Sequence, residues 1–472
     1  MAKPSALSTT TSLSQRPSEK GDGWRYVKHS GFARGFDGQL PEGSLPDGYV
    51  LEANNVVVVR GQVLRDNGYA AYLNTLIGVP QLLAIWTQAD DTEHFICITT
   101  TRAYRRQAGE WRYIEDGDKS ETTTTATAAA GATAVVVAAI TDFSDNDVIA
   151  IELASGLQHR TQVNGAPAGS TITFDDAIPV GESVENGAAV YHGQVLTGST
   201  AIPVSAVGWE SDDWFVWTNG VDAPRRFDGA EAITLPGLSY TETSAYVIQK
   251  CRWLAVFQQQ LFMFNTTETL GGGPATRYPV RIRRSDIGDG STWDHGTGNA
   301  GFEDVVNELG PIQCAHIVGD TLGVLCERGL GRYDYVGSSV LLYRFRPVVK
   351  GEGVVGPLAA TSAHGHIYFL GDSDVWDWDG GGSLVALGRA TPEQSSAVQQ
   401  LLYGGEGELS LTARNNVVVA HLEGREETWV LYPRDNGSFC DTLLRYSRQH
   451  AAWTRRTLPN SVYNLVRRVE AD

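Results

Sequence analysis

Four aspartates, Asp372, Asp374, Asp377 and Asp379, crowd into eight residues of TSAHGHIYFLGDSDVWDWDG (Thr361–Gly380). Carboxylates at that density raise the question of a calcium loop. The spacing is wrong for one: an EF-type loop sets ligands at alternate positions and needs a glycine at the sixth, whereas Trp376 interrupts here and the first pair falls on a turn. They read as solvated turn and strand-face carboxylates. His364 and His366 place two imidazoles on one strand face, but no third ligand lies nearby in sequence, so they read as an exposed pair. No metal or other cofactor is expected.

The remaining chemistry is equally sparse. Gly271-Gly272-Gly273 and Gly380-Gly381-Gly382 lack the Lys-Ser/Thr and the helix of a phosphate loop and read as turns. Neither G-x-S-x-G nor H-E-x-x-H occurs. The strongest basic cluster is Arg277, Arg281, Arg283 and Arg284, with Arg455, Arg456, Arg467 and Arg468 near the C-terminus. These arginines are the candidates for facing a partner's acidic surface or DNA phosphates, against a solvated strand face as the plain alternative. Tryptophans 209, 214, 217, 376, 378, 429 and 453 read as core, with a sugar-binding aromatic platform as the alternative. Nothing in this set makes a catalytic site, and the chain is expected not to be an enzyme.

The elements that carry these residues are strands. His366–Leu370 is aromatic and β-branched, Gly371-Asp372-Ser373 makes a turn, and Asp374–Trp378 returns with polar/apolar alternation before Asp379-Gly380 turns again. A period of two puts Trp376 and Trp378 on one face, which calls for a second sheet to cover them. Over 472 residues the composition agrees, with 52 Gly, 12 Trp and only 2 Met favouring short strands and many turns. The five cysteines, Cys97, Cys251, Cys314, Cys326 and Cys440, are scattered singly and read as buried free thiols. No apolar run approaches the ~18 residues of a membrane helix, and the Ser/Thr/Pro-rich start lacks a signal-peptide core. A soluble chain made in the cytoplasm is expected. Its net charge of −18 disfavours binding DNA by counterion displacement but suits a surface along which DNA slides.

Along the chain, residues 1–24 are expected to be flexible. Residues 25–118 read as an arm with a Val56–Val59 hairpin turning at Arg60-Gly61, then four strands between Leu82 and Asp116 that match one propeller blade. Residues 119–200 shift to Thr, Ala and Val and read as a small inserted β module. From 201 to 472 the blade pattern resumes, with an edge-like strand from Arg277 and one helix, Thr391–Tyr403, started by Pro392 and ended by Gly404-Gly405. About five or six sheet units are expected, spaced irregularly. The fold class is all-β, an irregular β-propeller with an inserted small β domain.

Several stretches resemble the propeller-containing tail hub or nozzle proteins of short-tailed bacteriophages, also called packaged-DNA stabilisation or tail tubular proteins. They are NNVVVVRGQVLRDNGY (Asn54–Tyr69), WTNGVDAPRRFDG (Trp217–Gly229), RIRRSDIGDGSTW (Arg281–Trp293), GEGVVGPLAATSAHGHIYFLGDSDVWDWDG (Gly351–Gly380) and LLRYSRQHAAWTRRTL (Leu443–Leu458). The resemblance implies a structural virion protein in a ring of six identical subunits below the portal and adaptor. It would extend the DNA channel, contact other tail proteins, and help retain and eject the packaged genome. It carries no catalytic residues to this chain. The rival reading is a propeller that binds or cleaves a host-surface glycan, which requires either exposed tryptophans or two carboxylates about 5–10 Å apart on a concave surface.

Overall fold

The computed structural model describes residues 75–462 apart from 242–243, 306, 338–341, 388–395 and 405–406, together with four strands at 13–16, 25–28, 56–59 and 62–65. The chain is all-β and propeller-like. Four sheets are four-stranded antiparallel meanders whose strand order follows the chain. The first is Pro80–Thr87, Glu93–Thr99, Ala103–Gln107 and Glu110–Tyr113. The others span 312–350, 360–386 and 418–462. A fifth meander, 205–234, gains a parallel fifth strand, Glu115–Asp116, and 239–304 forms a six-stranded sheet. Short loops join neighbours, so in each meander a strand pairs with the next one synthesised, and inner strands such as Thr321–Cys326 are buried along their whole length.

Two-residue turns set much of this register. Gln107↔Glu110, Phe257↔Gln260 and Ala363↔His366 each enclose two residues, and both enclosed residues have positive φ at Ala108-Gly109, Gln258-Gln259 and His364-Gly365. This is the turn whose twist matches paired strands. Gln258 and Gln259 accept it without a glycine, at a steric cost.

The chain divides into two compact units. One comprises Met1–Ala70, His316–Asp334 and Phe345–Tyr463, the other Ala71–Ala315, Tyr335–Arg344 and Asn464–Asp472. The division at 315/316 falls inside the run that sequence alone presents as continuous blades. In the second unit, residues 119–200 carry a four-stranded sheet in the order Thr122–Thr123, Ala189–His192, Val148–Glu152, Gln158–Gln162, and a two-stranded one, Ala134–Val136 with Thr171–Thr173. Ile149, Ile151, Ile172, Phe174 and Val190 fill the core between them, each fully buried side chain of this kind contributing about 1.5–3 kcal/mol. The opposite face, Val148, Ala150 and Tyr191, packs on Cys97, Tyr104, Trp111 and Tyr113 of the first meander. The chain enters and leaves this segment at one place. Glu115 bridges Gly193 and Arg102 bridges Val195. The buried Gln194 amide donates to Asp116 Oδ1 (2.9 Å) and the Ala232 carbonyl (2.6 Å).

In the first unit, Val56–Val59 pairs with Gln62–Arg65 as a hairpin, and Leu13–Arg16 pairs with Arg25–Lys28; the rest of 1–74 lies outside the described residues. The helix is Ala397–Tyr403, capped by Ser396, whose hydroxyl accepts from Gln399 N. Thr391 and Pro392, where it was expected to begin, lie outside the described residues. All five cysteines are buried thiols. No helix among the described residues is long and apolar enough to cross a membrane.

Replacing Gln258 by Asn and Gln259 by Gly should relieve the left-handed turn and stabilise the protein by about 1 kcal/mol, read as a higher thermal unfolding temperature. A lower one would mean that side-chain contacts, and not turn geometry, hold this hairpin.

Candidate functional site

The strand carrying the basic cluster, Thr276–Arg284, is not an edge. It pairs with Gln260–Leu270 on one side and Gly301–Asp304 on the other. The pairing shifts register between Phe264 and Thr266. The strand starts exposed at Arg277 and ends with Arg281, Ile282 and Arg283 all buried. This corrects the expectation for two of the four arginines. Arg281 and Arg283 do not face a partner or DNA; they face a buried carboxylate.

That carboxylate is Glu268, 2% exposed. Its Oε1 accepts from Thr266 Oγ1 (2.6 Å) and Arg283 Nε (3.1 Å), and its Oε2 from Tyr246 OH (2.7 Å), Arg281 Nη1 (2.9 Å) and Arg283 Nη2 (3.1 Å). Arg281 also grips Asp304 with two parallel bonds of 2.7 and 2.8 Å, the planar fork that arginine makes with carboxylates. Arg283 donates to Tyr240 OH (2.7 Å) and the Trp293 carbonyl (3.2 Å). Aromatic faces cover the guanidiniums: Arg281 lies 3.7 Å over Tyr278 and Arg283 lies 5.0 Å over Tyr246. Burial by itself would raise the Glu268 carboxyl, but Arg283 and the hydrogen bonds it receives hold it below its ordinary value. The cluster is a neutral, satisfied knot of two cations and two anions that ties three neighbouring strands together.

The other predicted arginines are spread out. Arg277 is exposed and donates to Asn265 Oδ1 (2.9 Å). Arg284 is half-buried, over Tyr343 and bonded to the Asn299 carbonyl. Arg455 pairs with Glu408, and Arg456, half-buried, stands opposite Leu443 on the last strand. Arg467 and Arg468 lie outside the described residues. The same local pairing recurs in Arg225 with Asp116 and Asp118, Arg226 with Asp228, and Arg414 with Asp372.

The four crowded aspartates go four ways. Asp372 meets Arg414; buried Asp374 accepts from Val375 N and Ser396 Oγ; Asp377 meets His366; Asp379 accepts from Gly381 N. Among the described residues no group of three His, Cys, Asp or Glu is placed to share a metal ion. Of the seven tryptophans, 209, 217, 378 and 453 are buried and 214, 376 and 429 half-buried. Five of the indole N–H groups go to internal acceptors: Trp209 to Asp212, Trp376 to Glu352, Trp378 to the Gly381 carbonyl, Trp429 to Glu427 and Trp453 to the Leu387 carbonyl. A groove of about 550 Å³ beside Leu235, Pro236, Leu238, Val247 and Ile248 has no titratable side chain in its lining.

Sequence separation hid one constellation. His421, from the strand Val418–Leu422, lies beside the His364/His366 pair, its ring 5.2 Å from that of His364 and edge-on to it. Tyr368 sits between imidazoles, near-parallel to His421 at 5.5 Å and to His366 at 6.4 Å. His366 Nδ1 lies 2.6 Å from Asp377 Oδ1, an arrangement that fixes the imidazole's tautomer. The only sequence signal for it was the recurrence of histidine in two apolar strands some fifty residues apart.

No protein-family model matches the chain, and no curated protein matches it in sequence. Solved structures similar to it include the dihydro-heme d1 dehydrogenase NirN in complex with DHE, at 9% identity over 70% of this chain and 57% of that one, just over half its length, with a TM-score of 0.33. A gluconolactonase from Xanthomonas campestris is 13% identical over 75% of this chain and 100% of that chain, with a TM-score of 0.27. Hsv2 of Kluyveromyces lactis is 10% identical over 71% and 98%, with a TM-score of 0.28. Scores this low assign neither a family nor an activity.

Glu268→Gln should lower stability by about 3–5 kcal/mol in urea unfolding, because two buried guanidiniums lose their shared charge, while Arg277→Ala should stay within about 0.5 kcal/mol of the parent. Equal effects of the two substitutions would deny the buried knot its role.

Proposed function

We propose that the chain is a non-catalytic structural subunit of a short-tailed phage tail. In this reading it is a hub or nozzle protein that joins five identical copies in a ring of six. It contacts the portal or adaptor and other tail proteins, and extends the channel through which packaged DNA is held and then released. The family resemblance of the five quoted stretches motivates the reading. The observation that carries it is the disposition of charge: arginines turn onto carboxylates of their own unit, as Arg281 and Arg283 do on Glu268 and Asp304, in a chain of net charge −18. Each paired arginine cancels one acid, so the unpaired excess is anionic. Such a wall repels the phosphate backbone and lets DNA pass. The glycan reading draws less support, since five of the seven indoles it would use as a platform are tied to internal acceptors.

The test is electron microscopy of the purified protein and of particles labelled with an antibody to this chain. The expected result is label at the tail and a closed ring around an axial channel, built by head-to-tail contacts. A chain that stays monomeric and is absent from particles would overturn the proposal.

A further inference from the structure

Two meanders of the first unit meet at the histidines. The hairpin Ala360–Ala363/His366–Leu370 supplies His364 from its turn, at φ +53°, with His366 and Tyr368 from its second strand. The meander at 418–462 supplies His421, and a backbone bond from Val419 N to the Leu358 carbonyl (2.8 Å) runs alongside. Neutral rings suit this contact. Tyr368, 2% exposed, is flanked by imidazole faces, and its hydroxyl has no hydrogen-bond partner. His421 spends Nδ1 on Thr428 Oγ1 (3.1 Å), while its Nε2 is buried with no partner.

We propose that His364, His366 and His421, arranged about Tyr368, form an acid-sensitive latch: the stacked rings hold the 360–386 meander against the 418–462 meander, and a proton on His421 releases it. The proposal does not depend on the virion reading.

The charges around the seam decide its direction. A proton on His366 is balanced by Asp377. A proton on His421 is not: its Nε2–H would be a charged donor without an acceptor, edge-on to the ring of His364. Arg448, which lies near Tyr368 and Tyr446 as well, repels a proton on His421, while Glu423 and Glu426 oppose it and Asp377 is already engaged. Burial first, then His364, outweighs the two glutamates and pushes the His421 imidazole below its ordinary value. A histidine lowered in the folded state contributes stability above its unfolded pKa of about 6.5, and that stability is lost as pH falls below it.

The test is hydrogen exchange of the full chain at about pH 7.5 and about pH 5.5, compared as protection factors. Acid should cut protection at residues 358–370 and 418–422 by about tenfold, and His421→Phe, which keeps the stack but takes no proton, should abolish most of that loss. If H421F does not fold, His364→Asn serves, since asparagine tolerates the left-handed turn; it should also shrink the acid response. Undiminished acid loss in the variant that folds, or no loss in the parent protein, would overturn the latch.

Discussion

Burial on both faces of the sheet is the constraint from which the other features follow. At Leu261–Phe264 and Arg281–Arg283 successive side chains are all buried, so one face must take whatever the apolar face excludes. Here that is charge, and a charge withdrawn from water has to bring its counter-ion and its remaining hydrogen bonds. Glu268 does both for two arginines, with Thr266 and Tyr246 completing its shell. Apolar side chains of equal volume could fill the space as stably. What they would not do is fix register beside the irregular pairing at Asn265, where the backbone is left-handed and the ladder slips.

The same rule governs the aromatic residues. A tryptophan brings a large apolar face and one obligatory donor, and for Trp209, Trp378 and Trp429 that donor finds a carbonyl or carboxylate within three residues. Trp378 reaches the Gly381 carbonyl and Trp209 reaches Asp212. Turn acids that look idle are therefore part of the core's polar accounting. Glu352 holds the Trp376 indole together with the Ser373 backbone and hydroxyl.

Most of the strands were legible because period-two patterning and turn residues are local. The first meander and the Tyr368 hairpin fall where alternation places them. Arg281 and Arg283 were misread for a physical reason: local sequence does not reveal that Gly301–Asp304 will cover their strand, nor that Glu268 will meet them. The strand's interior position and its burial are long-range facts. The His421 contact was invisible on the same ground, since it joins residues brought together only by the packing of consecutive meanders. The boundary at 315/316 left no compositional mark.

The neck at Glu115 and Gly193 has an evolutionary reading. Because the path in and the path out lie side by side, bridged at Glu115–Gly193 and Arg102–Val195, a segment of some eighty residues can be gained, lost or exchanged there without re-routing the strands on either side. Any replacement would inherit one obligation, to cover Tyr104, Trp111 and Tyr113, which Val148, Ala150 and Tyr191 now shield. The neck is thus a natural splice point whose cargo is free in sequence and constrained in a single patch.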